Sequence, residues 1–205
     1  MRTLSLLFFS AATAIAADIS GIIKLDGVDL RSLTQESLRE QLGIVPQEGF
    51  LFGETVATNI AFGRPEAARS AVEAVAKQVG AHEFIAALPD GYDTHVGQRG
   101  SLLSLGQRQL VAFARALLAD PRILILDEAT SSVDIATEIK IERALGELLE
   151  GRTAFVVAHR LSTIQRADLI VVLENGRVVE QGKHHDLMAA GGSYSTLYGA
   201  WADVK

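Results

Sequence analysis

The sequence has 205 residues, enough for one domain with a substantial core and a smaller subdomain. Its formal net charge of -6 argues against a nucleic-acid-binding protein, which usually presents a basic face. The absence of cysteine excludes disulfides and thiolate chemistry, and no apolar run reaches the roughly 18 residues that a membrane span needs.

The first 20 residues have the composition of a secretory signal peptide, because Arg2 precedes an apolar stretch from Leu4 to Ala16 and small residues stand before Ala17. A secreted globular protein is therefore one hypothesis. The same stretch also fits a buried helix that begins near Thr3 and packs against a sheet.

The next residues predict a hairpin, a short helix and a strand. Apolar residues over 22–30 flank Asp26-Gly27, a pair typical of tight turns. Ser32 and Gln35 have the spacing of a capping box, which predicts a helix start. A strand is predicted over Leu42 to Val45.

The region that follows is typical of a helical subdomain inserted into an α/β core. An Ala-rich amphipathic stretch predicts a helix over 66–79, between Pro65 and Gly80, and a second helix is predicted over 81–88. We treat the chain as one domain with three parts: an atypical segment (1–20), an α/β core (21–48 and 116–205) and a helical subdomain (49–115).

The remaining sequence alternates between strands and helices, which predicts a mainly parallel sheet with right-handed crossovers. Amphipathic helices are predicted over 106–119 and 138–149, and Asn175-Gly176 predicts a terminal hairpin. Continuous apolar runs, typical of strands covered by helices on both faces, occur at Ile123–Leu126, Ala154–Ala158 and Leu169–Leu173.

Two acids, Asp127 and Glu128, directly follow the first of these strands. Ligands of open α/β sheets bind at the carboxyl ends of strands. One carboxylate there can hold Mg²⁺ while its neighbour polarises a water that attacks a phosphoryl group. Two solvated acids at the start of a loop are the alternative interpretation.

Ser104 precedes a predicted helix whose first residues include Gly106. A helix start offers unpaired N–H groups and the positive end of the dipole, so this segment can bind a phosphate. An ordinary N-cap serine is the alternative. His159 and Gln47 also follow strands, and taken singly each is explained as a packing or surface residue.

Taken together, these segments resemble the nucleotide-binding domain of ABC transporters, most closely the exporter type. The resemblance rests on "VPQ" at 45–47, "LSLGQRQ" at 103–109, "ILILDEATSSVD" at 123–134 and "AHRLST" at 158–163, in this order. It runs from about Gly21 to the C-terminus. It implies an α/β fold with a P-loop NTPase-like core, a mainly parallel sheet, an inserted helical subdomain and a C-terminal β-hairpin.

The resemblance also implies an ATPase that uses ATP and Mg²⁺. Asp127 corresponds to the aspartate that holds Mg²⁺, and Glu128 to the general base that aligns the attacking water. His159 corresponds to the switch histidine that contacts the γ-phosphate. Gln47 corresponds to the glutamine that contacts Mg²⁺ and the attacking water and senses the membrane domain.

Further implied roles concern a second domain. Ser104, Gly106 and Gln107 belong to the signature sequence, which binds the ATP held by the other domain of a homo- or heterodimer. Asp134 corresponds to the aspartate that joins the two sites across that dimer. The segment from Thr94 to Gly100 resembles the one that meets the transmembrane domain. No nucleic-acid partner is expected.

The sequence departs from the family at three places. Gln98 stands where the family usually has Glu, and Leu105 stands where the signature usually has Gly. The larger departure is that no GxxxxGK occurs, so the P-loop is absent. On this alignment "TLSLLFF" resembles the helix after the P-loop, Arg2 is a poor substitute for its lysine, and the first strand is expected to be missing.

These departures lead to several hypotheses. The first is the ATP-hydrolysing domain of an exporter, N-terminally incomplete and weak or inactive alone. The second is a non-catalytic half that donates its signature segment to a partner. The resemblance disfavours the secreted protein, and "THVGQRG" disfavours a soluble ABC ATPase of DNA repair or translation. We expect a location at the cytoplasmic face of the membrane, and Ser10–Ser20 as an altered segment.

Overall fold

The computed structural model describes residues 3–8, 22–46, 49–127, 135–157 and 161–202. Its strands are β1 (Thr3–Phe8), β2 (Lys24–Leu25), β3 (Val28–Asp29), β4 (Leu42–Val45), β5 (Ile123–Asp127), β6 (Thr153–Val157), β7 (Leu169–Glu174) and β8 (Arg177–Gly182). Its α-helices are α1 (Gln35–Gln41), α2 (Val56–Ala61), α3 (Arg69–Gln78), α4 (His82–Ala86), α5 (Leu105–Ala119), α6 (Ile135–Leu149), α7 (Leu161–Gln165), α8 (His184–Ala190) and α9 (Ser193–Ala202).

A six-stranded sheet forms the centre of the α/β core, in the order β4-β5-β6-β1-β7-β8. All neighbouring strands are parallel except β7 and β8, which form the predicted hairpin around Asn175-Gly176. The α/β fold with a mainly parallel sheet is therefore confirmed. The second predicted hairpin is formed by β2 and β3, which turn at Asp26-Gly27, both with positive φ.

The prediction of a helix near Thr3 is wrong, because Thr3–Phe8 forms β1. This strand lies between β6 and β7, with Leu6 in register with Val157 on one side and Val171 on the other. Hydrogen bonding from both neighbours satisfies the backbone of a run too short to form a stable helix alone. The expectation of a sheet without its first strand also does not hold, since β1 fills this central position.

Three helix starts differ from the prediction by a few residues. The N-cap of α1 is Thr34, whose hydroxyl accepts the N–H of Ser37, whereas Ser32 ends a 3₁₀ turn. Helix α3 begins at Arg69 and α6 at Ile135. A further helix, α2, follows its own cap at Thr55 and was not predicted, because six residues show too little periodicity.

Helix α5 is the main packing element of the core, since it contacts α2, α3, α6 and β4. Its apolar face is buried, as the amphipathic pattern over 106–119 predicts, and includes Leu110, Ala114, Leu117 and Leu118. None of the helices in the described part of the chain combines the length and apolar character needed to cross a bilayer.

The sheet is not covered evenly on its two faces. Leu124 and Leu126 of β5 are buried, whereas Ile125 between them is 37% exposed and its register partner Ile44 is 67% exposed. The expectation that helices cover β5 on both faces is therefore wrong at these positions.

Candidate functional site

Strands β4, β5 and β6 are each followed by predicted site residues, and their carboxyl ends lie side by side. We call these adjacent strand ends the strand edge. In register, Val45 of β4 lies beside Leu126, and Asp127 of β5 lies beside Val157 of β6. Gln47, Glu128, His159 and Asp134 lie outside the described residues. The strand ends that precede Gln47, Glu128 and His159 are thus adjacent, which is the arrangement that brings residues from separate loops to one ligand.

Asp127 is the one predicted residue of this edge whose side chain is described, and it is exposed. An accessible carboxylate oxygen is a suitable ligand for Mg²⁺. Within the described residues no group of three or more His, Cys, Asp or Glu could hold a metal ion. A site with one or two carboxylates fits Mg²⁺ that also binds water and the phosphates of a nucleotide.

Ser104 forms the N-cap of α5 through a complete capping box. Its hydroxyl accepts the N–H of Gln107 at 3.2 Å, and Oε1 of Gln107 accepts the N–H of Ser104 at 2.9 Å. The hydroxyl still has its own proton to donate, because it acts only as an acceptor in this pair. The capping interpretation is therefore correct and leaves a phosphate-binding role open.

The first turn of α5 offers further donors to an anion. The N–H groups of Leu105 and Gly106 have no acceptor within the helix, as in the first turn of any helix. Ser104 is exposed, whereas Gly106 is buried. With 15 residues, α5 is long enough to present the positive end of a substantial dipole at this point.

The segment from Thr94 to Gly100 pairs with the chain ahead of α2. The N–H of Val56 donates to the carbonyl of Thr94 at 3.0 Å, and the N–H of Val96 donates to the carbonyl of Glu54 at 3.0 Å. Gly97 and Gly100 both have positive φ, near 75°, which only glycine adopts without strain. This pairing fixes the segment within the helical subdomain, against the residues at the start of α2.

A second polar centre was not predicted from the sequence. Arg115 of α5 donates from Nε to the carbonyl of Asn59 at 2.8 Å and from Nη2 to Oδ1 of the same residue at 2.9 Å. Its guanidinium lies 5.6 Å from the ring centroid of Phe52 and 5.7 Å from that of Phe62. Burial lowers the pKa of Arg115 from its ordinary value.

This centre lies beneath an exposed aromatic surface. Nη1 of Arg115 donates to the carbonyl of Phe50 at 3.0 Å, and the side chains of Phe50 and Phe62 are 45% and 55% exposed. Ring contacts through Phe52 connect Phe50 to Phe62, and contiguous apolar patches, rather than single residues, mark surfaces that bind other proteins. The signal available in the sequence was the spacing of three Phe residues between 50 and 62.

Comparison with known proteins gives one consistent result. The model of the family described as "ABC transporter" matches residues 6–131. The uncharacterized ABC transporter ATP-binding protein YknV of Bacillus subtilis is 55% identical over 177 residues, which are 86% of this chain and 29% of that protein. An ATP-dependent lipid A-core flippase of Legionella pneumophila (strain Paris) is 52% identical over 87% of this chain and 30% of its own length.

A solved structure agrees with these sequence relatives. A bacterial Atm1-family ABC exporter with ATP bound superposes with a TM-score of 0.87 and 43% sequence identity. The match covers 98% of this chain and 37% of the exporter chain. The chain thus spans about a third of the length of these three proteins.

Proposed function

We propose a function from the premise that this chain belongs to the ABC transporter family, as a nucleotide-binding domain of the exporter type. It acts in a dimer of two such domains that binds ATP with Mg²⁺ and powers transport across a membrane. Its particular contribution is to place Ser104, Gly106 and Gln107 on the ATP held by the partner domain.

The capped start of α5 is the observation that carries this proposal. Its geometry holds the Ser104 hydroxyl beside the two unpaired N–H groups of the first turn. Each of these donors suits a phosphate oxygen, and the helix dipole favours the negative charge.

We assign the roles in the chain's own ATP site to residues at or directly after the ends of β4, β5 and β6. Asp127 and Gln47 hold Mg²⁺, Glu128 orients and deprotonates the attacking water, and His159 contacts the γ-phosphate. When bound there, Mg²⁺ would supply charge neutralisation at the phosphate oxygens. Asp134 connects the two sites of the dimer. The adjacency of the strand ends before Gln47, Glu128 and His159 supports this assignment.

We also propose that this chain binds ATP weakly in its own site. The family places its P-loop between the first strand and a helix, and here the residues after β1 are 9–21. They contain one glycine, Gly21, and no lysine. A half that mainly donates its signature segment is therefore the second candidate function.

The proposed contact with a transmembrane domain uses the surface around Thr94–Gly100. The exposed rings of Phe50 and Phe62 add apolar surface in the same helical subdomain. An apolar helix end from a membrane domain is the partner that this combination suits, and it would hold the chain at the cytoplasmic face of the membrane.

The test measures ATP-dependent association of this chain with a second protein, an exporter ATP-binding domain that has an intact GxxxxGK. In that partner the general-base Glu is replaced by Gln, so that it holds ATP without hydrolysing it. Analytical ultracentrifugation with Mg²⁺-ATP should show a heterodimer for the wild type. Ser104→Asp keeps an excellent N-cap, so the melting temperature should stay unchanged, but its charge repels phosphate and should abolish association.

Ser104→Ala provides the second comparison, because it removes both the cap and the hydroxyl. It should lower the stability by about 1 kcal/mol and weaken association less than Ser104→Asp does. Equal association of the wild type and Ser104→Asp would contradict the proposal.

A further inference from the structure

A groove between α6 and α7 has no role in the proposed function. Its volume is about 350 Å³. Its apolar lining comes from Leu145 and Leu149, which lie one turn apart on α6, the first buried and the second half-buried. Sites for small molecules combine such an apolar lining with a few polar groups that fix the orientation of the ligand. The polar groups of this groove therefore decide what it can bind.

Gly146 leaves the α6 side of the groove open. It lies inside a 15-residue helix, where glycine is an unfavourable residue. A methyl group placed on Gly146 would have no atom of the described residues within 4 Å. The space above Gly146 is thus part of the groove, and a larger side chain at this position can fill it without a clash.

A hydrogen bond between the two helices holds the groove in shape. Oγ of Ser162 in α7 donates to Oε1 of Glu142 in α6 at 2.7 Å. Both residues line the groove and are half-buried. Because this bond ties α7 to α6 in the free chain, the groove is formed before a ligand arrives, which lowers the cost of binding.

Two exposed charges of opposite sign also line the groove. Glu150 directly follows α6, and Arg166 directly follows α7. None of the ion pairs between described residues joins these two side chains to each other or to a third residue. A guanidinium binds carboxylates and a carboxylate binds ammonium groups, so the groove offers a partner for each kind of charge.

We propose that this groove binds an apolar α-amino acid as a zwitterion. The Arg166 guanidinium pairs with the carboxylate of the ligand, and the Glu150 carboxylate pairs with its ammonium group. The apolar side chain of the ligand lies on Leu145 and Leu149, in the space above Gly146. This site goes beyond the proposed function, because none of the residues assigned to ATP takes part in it.

The test titrates the 205-residue chain with three probes that share a phenyl ring and differ in charge. Phenylalanine carries both charges, phenethylamine carries only the ammonium group, and phenylpropionate carries only the carboxylate. Saturation-transfer NMR measures the affinity of each. We expect phenylalanine to bind about fivefold more tightly than either other probe, because each of those lacks one exposed ion pair.

Three variants assign the contacts, and a fourth is the control. Gly146→Leu should abolish binding of all three probes and melt at or above the wild-type temperature, since leucine favours a helix. Arg166→Gln should weaken phenylalanine and phenylpropionate but not phenethylamine. Glu150→Gln should weaken phenylalanine and phenethylamine but not phenylpropionate. Arg143→Gln, on the exposed surface of α6 outside the groove, should match the wild type.

Three results would overturn the inference. Equal affinities for the three probes would mean that the charges of the groove recognise nothing. Binding that persists in Gly146→Leu would place the ligand elsewhere on the chain. No binding of phenylalanine up to its solubility would reject the site itself. Each of these results leaves the ATP-dependent association through Ser104 untouched, so the inference can fail while the proposed function stands.

Discussion

At the scale of single residues, some side chains could be predicted from the local sequence, whereas others depend on contacts between distant parts of the chain. Ser104 was identified because its place directly before a helix start is a local pattern, and the structure adds a capping box with Gln107. Asn59 and Arg115 were not, because they stand 56 positions apart and meet only when α2 packs on α5. The burial of Gln109 on α5 was not predicted for the same reason, since the neighbours of a polar residue on a helix decide whether it is buried.

Replacement of Asn59 by leucine should destabilise the protein strongly. Leucine leaves the N–H of Phe52 and one nitrogen of the Arg115 guanidinium without their acceptor at Oδ1. Buried donors without partners cost about 1–3 kcal/mol each, and more when charged, so we expect a loss of about 3 kcal/mol in the free energy of unfolding. Urea denaturation followed by circular dichroism measures it.

The control for this variant is Thr58→Ala, one position earlier on the exposed side of the same helix. It removes the exposed hydrogen bond between the hydroxyls of Thr58 and Thr55 and should change the free energy of unfolding by no more than about 1 kcal/mol. A loss below about 1 kcal/mol for Asn59→Leu would show that the Asn59–Arg115 centre does not hold α2 on α5.

At the scale of elements, β1 shows where pattern analysis stops. A short apolar run is compatible with a strand or with a buried helix, and periodicity alone does not decide between them. The decision comes from β6 and β7, which flank β1 and are encoded about 150 residues later. The longer helices α3, α5 and α6 were predicted because each repeats its apolar face over several turns.

The start of α9 depends on Gly192, because the carboxylate of Glu180 lies against it. The carboxylate of Glu180 in β8 accepts the N–H groups of Ser193 and Tyr194, at 3.0 and 2.8 Å. A methyl group on Gly192 would overlap Oε1 of Glu180. Gly192→Ala should therefore displace this cap and lower the free energy of unfolding by about 1–3 kcal/mol.

Gly199→Ala is the matched control in the same helix, because nothing lies within 4 Å of the added methyl group. It should raise the stability by about 0.5–1 kcal/mol, as alanine does in helices. A double-mutant cycle with Glu180→Ala completes the test. Because both changes remove one cap, their effects should not add, and additive losses would refute the mechanism.

At the scale of the whole molecule, the fold and the family follow from motifs that keep their order along the chain. The sheet, the inserted helices and the strand edge all agree with that order. The sequence analysis predicted that the missing P-loop would lie before Thr3. That prediction came from matching "TLSLLFF" to a helix by composition, whereas Thr3–Phe8 forms β1, the strand that precedes residues 9–21.

The identity of residues 9–21, which follow β1, decides how tightly ATP can bind in the chain's own site. A P-loop supplies several charge-assisted hydrogen bonds, each worth roughly 1.5–3 kcal/mol. Losing only two costs on the order of 3–6 kcal/mol, or about 10²–10⁴ in affinity at ~1.4 kcal/mol per decade. Residues 9–21 contain no lysine and one glycine. The 205-residue chain tested alone should therefore show no micromolar ATP binding and little hydrolysis.

Isothermal titration calorimetry and a phosphate-release assay, each with and without Mg²⁺, measure this directly. A variant in which residues 9–21 are replaced by a family P-loop and its helix provides the positive control, since it restores the missing donors after the same β1 strand. Glu128→Gln separates hydrolysis from background phosphate release, because it removes the proposed general base and keeps the shape of the side chain. Micromolar binding by the unaltered chain, with turnover that Glu128→Gln abolishes, would show that other residues replace the P-loop.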